Sequence, residues 1–254
     1  MPRFNDKSSA LIIGASGGIG LALTKQLLAD HRFANVFATA REPDSNAELK
    51  SLRDQHQSLQ LVSLEADKPA SFARLADHIQ AQDVRLSLVV YSAGLLHEND
   101  SVAPEKRLED IDLKAMEQVF AVNAFGPALM FQAFLPLMIK KHTSVMAAVS
   151  ARVGSIEDNR LGGWYSYRAS KSALNQLMRT AAIEARRRFK KCILTCVHPG
   201  TTDTALSKPF QANVPADKLF DPEFVAKRFM AIFEDLEIED SGCFLAWDGQ
   251  KISW

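Results

Sequence analysis

A tyrosine and a lysine four residues apart are the first candidates for chemistry in this sequence. Tyr167 and Lys171 lie in LGGWYSYRASKSALN, residues 161–175, and on a helix they would share one face. A nearby ammonium favours the phenolate and lowers the pKa of a tyrosine, which makes Tyr167 a candidate general acid or base. The neighbouring Tyr165 has Ala169 four residues later and so lacks such a cation. The spacing alone also fits a Tyr–Lys pair on the surface of an amphipathic helix.

A second candidate site lies near the N-terminus, where an apolar run leads into glycines. The segment LIIGASGGIGLAL, residues 11–23, holds a G-x-x-x-G-x-G pattern. Glycine permits a tight turn close to a pyrophosphate, and the N-terminus of a following helix offers free N–H groups to the anion. We therefore expect a dinucleotide site formed by Gly14, Ser16, Gly18, Ile19 and Gly20. A glycine turn without a ligand is the alternative.

The end of the second apolar run indicates which dinucleotide would bind. Ala40 stands where an acidic residue would bind a ribose 2′-hydroxyl, and Arg41 follows it. A guanidinium can hold a 2′-phosphate through two hydrogen bonds, whereas a carboxylate would repel it. The sequence therefore favours NADP(H) over NAD(H). Glu42 is the competing feature, because it would point inward if the strand ended one residue later.

Seven short apolar runs alternate with segments of helical period. The runs are 10–15, 35–40, 59–65, 86–94, 144–150, 192–200 and 243–247. They are continuous, as in parallel strands covered on both faces, and helical period follows Gly18 and spans about 113–140 and 165–189. This order predicts an α/β Rossmann fold: one domain, 1–254, with a doubly wound parallel sheet of about seven strands and helices on both faces. Residues 201–222 break the rhythm and are expected to form a substrate loop or lid, or else an ordinary long connection. Within this segment, Phe210, Leu219 and Phe220 indicate an apolar wall of the substrate pocket.

Composition and charge argue against several other classes of protein. The 30 Lys and Arg residues balance the 30 Asp and Glu residues, so we expect no nucleic-acid partner. No apolar run approaches the length of a membrane span, and the three cysteines have no zinc-type neighbours. We expect a cytoplasmic protein with buried thiols at Cys192 and Cys196, and with no membrane segment and no bound metal.

The motifs, taken in chain order, resemble the short-chain dehydrogenase/reductase family over essentially the whole chain. After the glycine loop come SAG at 92–94, VNAFGP at 122–127, YRASK at 167–171 and HPG at 198–200. The chain is most similar to the single-domain, C-factor-like carbonyl reductases. The resemblance implies an NADPH-dependent oxidoreductase that transfers hydride to a ketone or aldehyde. Tyr167 would be its general acid/base, and Lys171 would lower the pKa of Tyr167 and bind the nicotinamide ribose.

The same resemblance implies roles for further residues. Asn123 would hold the water of a proton relay. The other implied cofactor contacts are Glu65 and Ala66 at the adenine, Ala93 and Gly94 beside the ribose, and Pro199, Gly200, Thr202 and Thr204 along the nicotinamide and pyrophosphate. Similar family members pair their long helices, so a homodimer or homotetramer is expected.

The chain departs from the family pattern at the serine that usually polarises the substrate carbonyl. The family shows S-S-x-x-G, but alignment on Gly154 places Ala151 at the second serine. Losing one such donor costs about 10²–10³-fold in rate. Three repairs are open: Ser150, which we favour as the catalytic serine, moves in through a strand shift; Ser155 enters from the following turn; or Tyr167 acts alone.

The end of the fourth apolar run also departs from the family pattern. Tyr91 and Ser92 replace the two asparagines of the usual N-N-A-G, and Ser92 could supply a short hydrogen-bonding side chain in their place.

Two other functions compete with the reductase. Ala151 favours a nucleotide-binding sensor or scaffold with weak or no catalysis. An NAD-dependent alcohol dehydrogenase would require that Arg41 hold no 2′-phosphate. For either enzyme, the expected substrate is a small carbonyl compound or alcohol.

Overall fold

A seven-stranded parallel sheet forms the centre of the protein, in a computed structural model that describes residues 3–5, 7–98 and 101–254. The strands in these ranges are β1 (Ser8–Ile13), β2 (Phe33–Ala40), β3 (Leu59–Ser63), β4 (Leu88–Tyr91), β5 (Ser144–Val149), β6 (Cys192–His198), β7 (Thr201–Thr202), β8 (Leu219–Phe220) and β9 (Cys243–Ala246). The sheet order is β3-β2-β1-β4-β5-β6-β9, and β7 pairs with β8 outside it. Each of the seven predicted runs contains a strand of this sheet, so the predicted doubly wound fold is confirmed.

Helices cover both faces of the sheet. They are α1 (Gly18–Ala29), α2 (Ala47–Gln55), α3 (Pro69–Ala81), α4 (Leu113–Phe120), α5 (Gly126–Phe134), α6 (Tyr165–Arg188) and α7 (Pro222–Asp235). One buried apolar cluster lies between the sheet and α1 with α7, and a second lies between the sheet and α3, α5 and α6. The helices α2, α3 and α7 were not predicted from the sequence. They are shorter than α6 and lie between the more apolar runs.

The strand order changes direction between β1 and β4, and this point places the site. Crossovers leave these two strands on opposite sides, so a crevice opens at their carboxyl ends. Ser92 joins the two strand ends, because its Oγ donates to the carbonyl oxygens of Ile13 at 2.9 Å and Gly14 at 3.1 Å. The hydrogen-bonding role expected for Ser92 is therefore confirmed.

The long helix expected over 113–140 is interrupted near its middle. Ala121–Phe125 forms a π-helical turn between α4 and α5. The hydroxyl of Tyr91 donates to the carbonyl oxygen of Val122, inside this turn, at 2.7 Å. A buried backbone carbonyl needs a partner, and this bond supplies one where the regular ladder of the helix changes. The tyrosine that departs from the family pattern thus supports the turn that carries Asn123.

The segment Leu113–Leu137 has the length and composition of a candidate membrane span. The mean hydropathy of its most apolar window is 1.4, and half of that window is buried inside the fold. A core helix of a soluble protein meets the same test, so a single such helix argues only weakly for a membrane. The expectation that no apolar segment approaches this length is wrong, because the few polar residues that interrupt the run do not lower its average enough.

Residues 201–222 form a closed loop over the carboxyl end of β6. The pairs Thr201–Leu219 and Thr202–Phe220 join its two ends in a short parallel ladder. Short 3-10 turns at Lys208–Phe210 and Ala216–Lys218 fill the segment between them. The loop therefore has defined structure, and its movement as a lid stays a prediction.

Candidate active site

A cavity of about 1110 Å³ opens at the carboxyl ends of the central strands. It extends from the glycine loop after β1 to the first turn of α6, and the loop 201–222 covers one side. It brings together most of the residues named from the sequence, which are Gly14, Ser16, Gly18, Ile19, Arg41, Ala66, Ala93, Gly94, Ser150, Tyr167, Lys171, Pro199, Gly200, Thr202 and Thr204.

Two residues expected to contact the cofactor lie outside the lining. A Cβ on Gly20 would meet the Gly14 carbonyl oxygen at 2.1 Å, so this glycine allows helix α1 to pack on the turn. Glu65 is exposed, and its backbone N–H donates to Ser71 Oγ at 3.0 Å. Leu64, Ala66 and Asp67, which follow the end of β3, line the cavity at that point instead.

The glycine loop has the geometry of an anion site. Gly14 has φ +90°, and a Cβ there would lie 2.6 Å from the backbone nitrogen of Ala93. Helix α1 begins at Gly18 without a side-chain cap, so its first backbone N–H groups are left for another partner. A Cβ built on Gly17 would meet nothing within 4 Å, which leaves open space in front of these groups. The loop therefore accommodates a phosphate of a bound dinucleotide.

A buried hydroxyl on the opposite wall also fits a polar ligand. The Oγ1 of Thr202 is buried and has no hydrogen-bond partner among the described residues. Such a group is unfavourable unless something bonds to it, and Thr202 lines the same cavity as the glycine loop. The described residues thus fit a dinucleotide along the whole cleft. They include no cluster of His, Cys, Asp and Glu that could hold a metal ion.

The adenosine end of the cleft carries a cation that is already paired. Strand β2 ends at Ala40, and Arg41 lines the cavity while Glu42 does not. The alternative in which Glu42 points inward is therefore wrong. Arg41 is 80% exposed, with Nη1 3.6 Å from Glu98 Oε1. A solvent-exposed pair of this kind is weak, so Arg41 can exchange Glu98 for a phosphate at little cost.

Tyr167 and Lys171 lie on one face of α6 and are both buried. The Lys171 ammonium is 5.7 Å from the centre of the Tyr167 ring and donates to the Val149 carbonyl oxygen at 2.9 Å. The Tyr167 hydroxyl makes no hydrogen bond within the described residues, and the side chain lines the cavity. The pair is therefore fixed by the sheet and faces the space where a ligand would lie.

The pKa values of this pair are set by burial. Burial raises the pKa of Tyr167 above that of a free phenol and lowers the pKa of Lys171 to about 8. In the protein alone, the lowered tyrosine pKa predicted from the sequence is therefore wrong, because removing the phenol from water outweighs an ammonium 5.7 Å from its ring. The positive charge of an oxidised nicotinamide would also favour the phenolate, and a lowered pKa of Tyr167 in such a complex stays a prediction.

A buried carboxylate positions the start of α6. The Glu105 carboxylate accepts hydrogen bonds from the Ser166 backbone N–H at 3.2 Å and from the Ser166 hydroxyl. The Glu105 carbonyl oxygen accepts from the backbone N–H of Trp164, a residue with φ +52°, at 2.5 Å. A carboxylate at a helix N-terminus is favourable, because it faces free N–H groups and the positive end of the helix dipole. Glu105 was not predicted from the sequence, because no local spacing connects it to Ser166, which is 61 positions away.

Asn123 ties the loop after β4 to α6. Its Oδ1 accepts from the backbone N–H of Leu95 at 2.8 Å, and its Nδ2 donates to the Leu95 carbonyl oxygen at 2.8 Å and to Ser170 Oγ at 3.1 Å. The side chain is fully buried and lies behind the cavity wall rather than in the lining. Its role in holding a relay water stays a prediction.

Of the two serines proposed as repairs, Ser150 donates its proton to another side chain and Ser155 lies outside the cavity lining. Ser150 lines the cavity, but its Oγ donates to Asn175 Oδ1 at 2.7 Å. Ser155 is buried outside the lining, and its Oγ accepts from the backbone N–H of Asp158 at 3.2 Å. Ala151 itself lines the cavity. A catalytic role for Ser150, the favoured repair, would thus require its hydroxyl to leave Asn175.

Aromatic side chains form the outer part of the cavity. The ring centres of Trp164 and Phe210 are 5.0 Å apart, and the Trp164 ring is 6.2 Å from that of Tyr167. Phe210 lines the cavity, as expected for an apolar wall, but Leu219 and Phe220 do not. The Phe220 ring packs instead on Trp247 at 4.6 Å. Trp164 was missed from the sequence, although it lies next to the predicted tyrosines.

The chain is similar to known proteins in sequence and in fold. The family model described as short chain dehydrogenase matches residues 8–215. An uncharacterized oxidoreductase of Schizosaccharomyces pombe is 27% identical over 95% of this chain and 96% of its own length. The C-signal protein of Myxococcus xanthus is 33% identical over 58% of this chain and 83% of its own. The solved structure of NADPH-bound carbonyl reductase from chicken fatty liver has a TM-score of 0.88 and 28% identity, over 100% of this chain and 96% of that one.

The extent of the family match decides the classification. The matched range, residues 8–215, takes in the glycine loop, the Tyr167–Lys171 pair and the turn at Pro199–Gly200. These are the parts that the fold assembles around one cavity. The chain therefore belongs to the short-chain dehydrogenase family and has the sheet and site of an oxidoreductase of that family.

Proposed function

We propose that this protein is an NADPH-dependent carbonyl reductase that acts on a small ketone or aldehyde. The observation that carries the proposal is the position of Tyr167, which lines a cavity that begins at a phosphate-type glycine loop. A proton donor and a dinucleotide site in one cleft are the two parts that carbonyl reduction needs. The NADPH-bound carbonyl reductase from chicken, which covers all of this chain, supports the same cofactor and reaction.

Different residues of the cleft would bind the cofactor and donate the proton. When bound, NADPH supplies the hydride for the carbonyl carbon. The turn at Gly14 and Gly18 would hold the pyrophosphate, and Thr202 would bond to a polar group at the nicotinamide end. Lys171, held by the Val149 carbonyl, would bond to the nicotinamide ribose through its remaining N–H groups. Tyr167 donates its phenolic proton to the carbonyl oxygen.

The protonation state of Tyr167 matches the proposed reduction. Burial raises the pKa of the phenol, so it keeps its proton at neutral pH, as an exposed tyrosine also does. A protonated phenol can donate to the oxygen of a carbonyl substrate, whereas oxidation of an alcohol needs the phenolate as base. A positive charge beside the tyrosine would lower this pKa and assist proton transfer in either direction.

Consumption of NADPH by the purified protein tests the proposed function. The absorbance of NADPH is followed with 4-nitrobenzaldehyde, 2,3-butanedione and a wider set of aldehydes and diketones. We expect saturable turnover with at least one of them. The competing function, a nucleotide-binding sensor, is favoured by Ala151 and by the committed hydroxyl of Ser150. Tight NADPH binding without turnover across the whole set would support the sensor and overturn the reductase.

Arg41 carries the proposed preference for NADP(H). Arg41→Ala should weaken NADPH binding by about 10–100-fold, the value of a charge-assisted hydrogen bond to phosphate, and leave NADH binding nearly unchanged. Isothermal titration with the two nucleotides measures both affinities. Glu98→Gln is the matched control: it removes the carboxylate that pairs with Arg41 at 3.6 Å and should strengthen NADPH binding. Equal losses for NADPH and NADH in Arg41→Ala would favour an NAD-dependent alcohol dehydrogenase.

We propose that the protein forms a homodimer or homotetramer. Two exposed apolar side chains support this assembly: Leu113 on α4 is 68% exposed, and Phe125 on the π-helical turn is 55% exposed. A second subunit packed on this stretch would remove them from water. A cytoplasmic location is also proposed, and the three free thiols suit a reducing compartment.

A further inference from the structure

An oxyanion-type site usually gives the carbonyl oxygen a second hydrogen-bond donor besides the general acid. Ala151 occupies the position where the family's serine would supply it, and the Ser150 proton goes to Asn175. Unless Tyr167 acts alone, another donor comes from the side chains that line the cavity beside Ala151. Arg152 directly follows it, and the backbone N–H of Arg152 donates to His198 Nδ1 at 3.3 Å. His198 also lines the cavity.

Strand register places the His198 side chain on the same side of the sheet as Tyr167. Val149 of β5 pairs with Val197 of β6, so the residues that follow them lie side by side where the two strands end. Cys196 belongs to the buried cluster beneath α6, and Val197 belongs to the cluster on the opposite face. Because side chains alternate along a strand, His198 faces the side of α6, the helix that carries Tyr167.

The hydrogen bond from Arg152 fixes the form of the imidazole. Nδ1 accepts a proton in this bond, so in the neutral ring the hydrogen lies on Nε2. Burial lowers the pKa of His198 to about 4, helped by the charge of Arg152 and opposed by Asp248. Nδ1 carries the one hydrogen bond that the described residues make to this ring, and the half-buried side chain lines the cavity. Nε2–H is thus the donor that remains for a ligand.

We propose that the Nε2–H group of His198 donates a hydrogen bond to the substrate carbonyl oxygen, in place of the hydroxyl missing at Ala151. This inference rests on the proposed reductase function. As the carbonyl carbon accepts hydride, the π electron pair moves onto the oxygen, which then takes the phenolic proton of Tyr167. His198 keeps its own proton throughout and stabilises the negative charge that develops on the oxygen, as a donor in an oxyanion-type site does.

A double-mutant cycle between His198 and Ala151 tests the inference. His198→Phe keeps an aromatic ring without the donor and should lower kcat at least tenfold, with NADPH affinity unchanged. Ala151→Ser restores the family's hydroxyl. It should change kcat little in the wild type but recover most of the loss in His198→Phe, because the two donors serve one oxygen. Effects of Ala151→Ser that are equal in both backgrounds would overturn the inference.

A measurement that does not depend on turnover separates this inference from the proposed function. In protein labelled with ¹⁵N-histidine, the His198 signals should show an Nε2–H tautomer at neutral pH. The Nε2 signal should shift when 2,3-butanedione is added to the protein with bound NADP⁺. If the enzyme turns over but the mutant effects are additive and the Nε2 signal does not shift, the role of His198 is wrong and the reductase function still holds. If there is no turnover, the reductase function is wrong. An Nε2 signal that also does not shift would then contradict the His198 donor as well.

Discussion

Tyr167→Phe is expected to lower the rate of carbonyl reduction by about 10²–10⁴-fold, the contribution of a positioned general acid. The variant loses only the hydroxyl, which makes no hydrogen bond within the described residues. No protein group is therefore left unpaired, and the ring keeps its packing against Trp164 at 6.2 Å. Folding and NADPH affinity should be unchanged, so the loss appears in kcat. Single-turnover absorbance traces and NADPH titrations measure the two quantities separately.

Tyr165→Phe is the matched control for this variant. Tyr165 is on the same turn of α6 but does not line the cavity, so its hydroxyl can be removed without effect on the chemistry. It should retain nearly the full rate. A Tyr167→Phe enzyme that keeps more than about a tenth of the wild-type rate would contradict the role of Tyr167 as general acid.

Lys171→Met is expected to lower the rate by about 10²-fold or more, since the ammonium supports both the proton donor and the cofactor. Its effect on stability should be the opposite of its effect on activity. Burial holds the pKa of Lys171 near 8 rather than 10.5, so at pH 7 the charged side chain costs the fold about 3 kcal/mol. Loss of the bond to Val149 offsets about 1–3 kcal/mol of the gain from removing this charge. The variant should thus be as stable as the wild type at pH 7, or more stable.

The pH dependence of unfolding tests the stability of Lys171→Met. Between pH 8 and 10.5 the folded wild type has lost the Lys171 proton while the unfolded chain retains it. Wild-type stability therefore rises with pH over this window, and the Met variant lacks that rise. The stability of the variant relative to the wild type should be greatest below pH 8 and should decline toward pH 10.5. Urea unfolding at several pH values measures it, with Lys190→Met as the exposed control. A relative stability that does not change with pH would show that Lys171 is not buried as a cation.

Local patterns were enough to predict the helix that carries Tyr167 and Lys171, and the glycine loop. Tyr167 and Lys171 share a face because the helical period alone places residues four apart together. The turn after β1 follows from glycines between an apolar strand and a helix. Arg41 was placed correctly at the end of β2, because a strand that ends at Ala40 can be recognised from its run of apolar residues. The seven strands were found for the same reason.

The errors concern the direction of side chains near the ends of elements. Glu65 was expected at the adenine and Phe220 in the pocket wall, yet both lie outside the lining. A shift of one residue at the end of a strand reverses the side to which a side chain points, and sequence patterns do not fix strand ends this closely. The pKa of Tyr167 was misjudged for a related reason, because the degree of burial follows from packing between α6 and the sheet.

The fold class could be predicted from the alternation of apolar runs and helical segments along the whole chain, and the glycine loop and the Tyr167–Lys171 pair from patterns of a few residues. Three contacts are visible only in the folded protein: the Glu105 carboxylate with the N-terminus of α6, Ser150 with Asn175, and the Arg152 backbone N–H with His198. These partners are 61, 25 and 46 residues apart along the chain. Their contacts depend on strand order and register, which bring the ends of β5 and β6 together beneath the first turns of α6. Strand pairing brings residues together that are distant along the chain, and no local pattern in the sequence indicates which strands pair.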